Sequence, residues 1–123
     1  MGDGGVALFH LLGRDDWAHA CAAGIYRPAS LETEGFIHFS TDRQLLGSAE
    51  RFFAGRDDVL VLSVDARKLG PALRFEPVGD KLFPHLYAPL ALAHVNEAVV
   101  LPLTSEGRFD VPLEWAPWRA YFV

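Results

Sequence analysis

GFIHFSTDRQLLGSAERFFAG, Gly35 to Gly55, runs from a strand pattern into a helix pattern with almost no linker, and its reading sets the fold class. In GFIHFS, Gly35 to Ser40, side chains on a strand would alternate between faces. Phe36, His38 and Ser40 then share one surface, and Ile37 and Phe39 the other. His38 and Ser40 stand about 7 Å apart along such a strand. Thr41 and Gln44 fit a capping box, in which each side chain bonds the other's backbone N–H. Leu45, Leu46, Ala49, Phe52 and Phe53 repeat at helical spacing, and Gly55 stops the pattern. The stretch predicts a helix from Thr41 or Asp42 to near Gly55, with those five residues buried.

Upstream, Val6 to Leu12 (VALFHLL) is a short apolar run between two glycines, read as a mostly buried strand with His10 near its end. Asp15 or Asp16 then caps a helix with Trp17, Ala20 and Cys21 on one face. Gly24 closes it where a left-handed residue is wanted. Residues 25–34 read as a loop, because Pro28 disfavours helix at Arg27. Downstream, Val59 to Val64 is a buried strand, and Asp65 starts a single turn ended by Gly70-Pro71. Ala72 to Val78 follows as a strand, Leu73 and Phe75 facing one way, Arg74 and Glu76 the other. Leu82 to Leu90 (LFPHLYAPL) is proline-punctuated and reads as a loop of the kind that carries sites. Ala91 to Leu103 reads as a strand that ends at Pro102 or lies at an edge. The order β-α-β-α-β-β-loop-β predicts an α+β fold. Its sheet is largely antiparallel, continuous or split in two, with both helices from the N-terminal half.

The chain has 123 residues, half of them apolar, which suits one domain over 1–123. Sixteen acids against eleven bases give a net charge of −5, which argues against a long nucleic-acid duplex as partner. No apolar run reaches the ~18–20 residues of a membrane span. The N-terminal stretch lacks the basic region of a signal peptide. With one cysteine, Cys21, these features predict a cytoplasmic protein. The C-terminal tail, residues 111–123, holds Trp115, Trp118, Tyr121 and Phe122. It is expected to fold back on the body or to meet another subunit in a homo-oligomer.

Of five histidines, His19 reads as solvated and His94 as a half-exposed strand residue. His10, His38 and His85 differ, each interrupting an apolar run: LFHLL, FIHFS, FPHLY. A buried imidazole needs partners for its ring nitrogens. Convergence of the three on one pocket meets that need more economically than three separate arrangements. Zinc held by these histidines with Glu76 or Glu97 is an alternative, but there is no HxH, HExxH or CxxC, and no metal is expected. Ser40 as a nucleophile lacks a G-x-S-x-G elbow and reads better as the start of the helix. With Thr41 it would offer free N–H groups to a phosphate.

The set His10, Trp17, Gly24, Tyr26, Gly35 to Ser40, Gln44, Glu76 and Phe83 to Tyr87 resembles the pattern of the small bacterial family labelled domain of unknown function 952. The likeness covers about residues 6–110. That family's layout is similar to the ADP-ribosyltransferase superfamily, and most to its RNA 2′-phosphotransferase branch. The resemblance implies an ADP-ribosyltransferase-like fold gripping NAD or ADP-ribose. The branch's H-G-T signature is absent here, where LLG follows His10, and Glu76 and Glu97 both remain candidates for a catalytic acid.

The expected site therefore combines His10, His38, His85 and Glu76 as catalytic groups, with Ser40, Thr41, Tyr26, Gln44 and Tyr87 holding the ligand. An NAD- or ADP-ribose-utilising transferase is the first reading. A non-catalytic small-molecule or nucleotide-binding module and a metal-dependent hydrolase are the alternatives.

Overall fold

The computed structural model describes residues 7–122; Val6, the first residue of the predicted strand, and the terminal Val123 lie outside the described residues. Strand β1 (Ala7–Gly13) pairs antiparallel with β4 (Val59–Asp65), which pairs on its other side with β8 (Val95–Val100). All seven residues of β4 are buried, which explains why VLVLSVD shows no polar alternation. Its side chains nevertheless alternate between two cores. Leu60, Leu62 and Val64 pack with Leu8, Leu12, Ile37 and Leu86, whereas Val59 and Val61 pack with Phe9, Leu45, Ala49 and Trp115.

The sheet is split. A second antiparallel sheet has the order β3 (Ile37–His38), β6 (Lys81–Leu86), β5 (Leu73–Val78). A third, of two strands, pairs β2 (Ile25–Tyr26) with β7 (Leu90–Ala91). Helices α1 (Arg14–Ala23), α2 (Ser30–Thr33) and α3 (Leu45–Phe53) all come from the N-terminal half. The mixed α+β architecture with antiparallel pairing is as expected, with three α-helices among the described residues rather than two.

Several elements depart from expectation for local reasons. Residues 25–34 are not all loop: after β2, the turn at Pro28 leads into the single turn of α2. Leu82 to Leu86 belongs to β6, a central strand in spite of Pro84. The Pro84 carbonyl accepts the Phe39 N–H at 2.9 Å, just beyond the end of β3, so the proline's missing N–H falls where the ladder stops. Residues 91–103 break into β7, a 3₁₀ turn at Leu92–His94, and β8, which ends at Val100 ahead of Pro102.

Helix α1 has Gly13 at its N-cap, and Asp15 and Asp16 lie inside the first turn, where they favour the helix dipole. Cys21 is exposed, and Ala20 alone in this helix is buried. Helix α3 starts at Leu45 rather than at Thr41 or Asp42. Only half the capping box forms: the Gln44 side chain accepts the Thr41 N–H at 3.0 Å, but the Gln44 N–H bonds the Thr41 backbone carbonyl. Leu45 and Ala49 are buried and Leu46 and Phe53 half-buried, but Phe52 is 65% exposed, with the Arg51 guanidinium over its ring. Phe75 is likewise exposed, on the part of β5 that extends beyond the core. The aromatic tail packs on the body as 3₁₀ turns over Leu113–Phe122. Trp115 and Phe122 stack on each other and contact the Phe9 ring.

Candidate functional site

Register places the site. His38 on β3 lies opposite His85 on β6, and His85 lies opposite Arg74 on β5, so the three form one row across the sheet. The adjoining row, Ile37, Leu86 and Leu73, points the other way into the core. Side-chain alternation thus gives the sheet one apolar face and one face bearing Phe36, His38, His85, Tyr87, Arg74 and Glu76.

The His85 ring is 5% exposed and held from several sides. It stacks on Phe36, centroids 4.0 Å apart and planes 16° apart. Its Nδ1 donates to Glu76 Oε1 at 2.9 Å, and the same oxygen accepts the Tyr87 hydroxyl at 2.6 Å. These two bonds, that of Tyr87 first, hold the Glu76 carboxyl below the usual carboxylate range, and Glu76 in turn raises the Tyr87 hydroxyl. Because a carboxylate only accepts, Nδ1 carries a proton, and in the neutral ring the lone pair is on Nε2. No described residue bonds Nε2, yet among the described residues no fully buried side-chain polar atom lacks a partner. Nε2 therefore keeps a small accessible surface on the polar face of the sheet. The His38 ring stands 5.5 Å from that of His85, nearly perpendicular to it, and its Nε2 donates to Glu34 at 3.0 Å. Arg74 lies over the Tyr87 ring, 4.6 Å from its centroid.

The other expected site residues have different surroundings. His10 touches His38 through its backbone, not its ring: His10 Nδ1 donates to the His38 carbonyl at 2.5 Å, and Nε2 accepts the Tyr26 hydroxyl at 2.7 Å. Burial lowers the His10 pKa to about 4, so the ring is neutral and its tautomer fixed. Burial, with Asp16 nearby, pushes the Tyr26 hydroxyl up. Ser40 does not share the His38 surface. The chain leaves β3 after His38, Ser40 bridges to Phe9 on β1, and its hydroxyl meets that of Ser48 at 2.8 Å. The Ser40 N–H is taken by the Phe9 carbonyl and the Thr41 N–H by Gln44, so neither is open to a phosphate. Gln44 also donates to the Leu82 carbonyl, tying the start of α3 to β6.

Two members of the face escaped the sequence reading, Glu34 and the stacking role of Phe36. Phe36 was readable as a same-face neighbour of His38; Glu34 sits outside any strand and carries no periodic signal. Glu97, the other candidate acid, accepts the Trp115 indole N–H at 3.3 Å. Among the described residues no group of three or more His, Cys, Asp or Glu side chains is arranged to hold a metal ion. A surface cleft of about 360 Å³ opens elsewhere, beside Tyr26 between α1 and the start of α2, lined by Asp16, His19 and Arg27 among others.

Residues 11–98 match the family described as protein of unknown function (DUF952), and the chain belongs to that family. The match begins just after His10 and ends before the tail, narrower than the resemblance read from the residues. The crystal structure of protein CC0527 from Caulobacter crescentus superposes with a TM-score of 0.81 at 31% identity, covering 93% of this chain and 98% of that one. Its solution structure gives 0.75 at 32% identity, covering 84% and 90%. No curated protein matches the chain.

Proposed function

We propose that this protein is an acid–base enzyme acting on a small nucleotide-type ligand, with His85 as the proton-accepting group. The observation that carries the reading is the His85 ring, buried and oriented by Glu76, with its Nε2 lone pair left open. A carboxylate that fixes the tautomer and orientation of a histidine is the usual support of a general base. His38, supported in the same way by Glu34, is a second proton-transferring group in reach of the same ligand. Tyr87 and Phe36 offer aromatic surface to a planar ring.

NAD and ADP-ribose are the first ligands to test, on the strength of the resemblance to the ADP-ribosyltransferase superfamily. Fold likeness alone does not establish activity. Calorimetric titration of both compounds into the wild type and His85→Gln, with chromatography for released nicotinamide, decides between readings. Turnover lost in the variant at ligand concentrations that still saturate its weakened binding supports the enzyme. Saturable binding without turnover of either compound favours a binding module. No binding of either compound at several-millimolar concentration overturns the ligand class.

A further inference from the structure

We propose that the cross-strand row His38–His85–Arg74 seats the phosphoryl group of the ligand. The proposal rests on the reading of this face as the ligand site and says which part of the ligand lies over His85. Adjacent strands stand about 4.8 Å apart, so a directly opposed row sets its side chains at that spacing. Here the row offers the unbonded Nε2 of His85, the half-exposed ring of His38, whose Nε2 bonds Glu34, and a guanidinium. Imidazole centroids 5.5 Å apart can be bridged by two oxygens of one tetrahedral phosphate. An open imidazole nitrogen donates to an oxyanion once it carries a proton, and a guanidinium donates always.

Two carboxylates face the row, Glu34 from the turn after α2 and Glu76 from β5. Each is bonded to a histidine, which moderates its repulsion of an anion. The Tyr87 hydroxyl is bonded to Glu76 and leaves its ring as a floor under Arg74. The seat that the sequence suggested, at the start of α3, is closed. The N–H groups of Ser40, Thr41 and Arg43 bond Phe9, Gln44 and Asp42.

The test is protection of histidines from diethyl pyrocarbonate, which acylates unprotonated imidazole nitrogens, each modified residue being located by peptide mass. His38 and His85 should react, and saturating inorganic phosphate or adenosine monophosphate should slow both by about tenfold or more. Adenosine and acetate should not protect. Arg74→Gln should abolish the protection, each rate being compared with that of the same variant without phosphate. If His85 reacts and neither phosphate compound protects it, the proposal falls while the open nitrogen stands. Equal protection by adenosine or acetate overturns the phosphoryl assignment, and protection by inorganic phosphate alone overturns a phosphate ester as ligand. A His85 that never reacts overturns the general-base reading itself.

Discussion

Lowering the pH should destabilise this protein through His10. The ring is neutral in the fold with a pKa of about 4, against an ordinary value of 6.5. Between those values the unfolded chain binds a proton that the folded chain does not, so stability rises with pH across that window. The contribution is complete above the unfolded value and is lost as pH falls toward the folded one. From about pH 7.5 to about pH 5 the loss works out at about 2 kcal/mol, since each pKa unit is worth about 1.4 kcal/mol. The structural cause is specific: a protonated Nε2 could no longer accept the Tyr26 hydroxyl, and its charge would lie buried among Phe39, Leu8 and Leu62. Urea unfolding of the wild type and His10→Gln at both pH values isolates the effect, because glutamine does not titrate. The wild type should lose about 2 kcal/mol more than the variant over this interval. Parallel losses in the two proteins would refute the reasoning, and so would a His10 imidazole resonance that titrates in the ordinary histidine range.

Phe52→Ala should cost less than about 1 kcal/mol, against about 2–5 kcal/mol for Leu45→Ala, which empties a fully buried site; chemical denaturation checks both. Gly24→Ala should destabilise by about 1–2 kcal/mol through its backbone alone, because φ is +78° and nothing lies within 4 Å of an added Cβ; thermal unfolding measures it. Tyr87→Phe should move the Glu76 carboxyl back up toward the ordinary range, because the Tyr87 bond is the largest cause of its lowering; carboxyl carbon NMR against pH reads the change.

What the sequence reveals of this fold depends on how local the cause is. Leu45 and Ala49 were legible because helical spacing and burial coincide there, and β4 because a buried strand needs no polar alternation. Phe52 obeys the same spacing yet lies exposed, since periodicity says which side a residue faces and not whether anything covers it. Leu82 to Leu86 was hidden by Pro84, whose place in a central strand is tolerated only where β3 ends. The candidate site divides in the same way. His38, His85, Glu76 and Tyr87 stand together because strand register aligns them. His10 is set apart by where its ring points, and Ser40 by the turn of the chain after β3. Both depend on tertiary geometry that alternation cannot supply.

The central claim is an open, oriented His85, and the imidazole nitrogens report it directly. Long-range proton–nitrogen NMR at neutral pH should show His85 protonated on Nδ1, with an Nε2 that shifts saturably as ADP-ribose is added and does not shift in the presence of adenosine alone. Before ligand is added, a His85 with Nε2 protonated in place of Nδ1 would contradict the account, and so would nitrogen resonances indifferent to ADP-ribose.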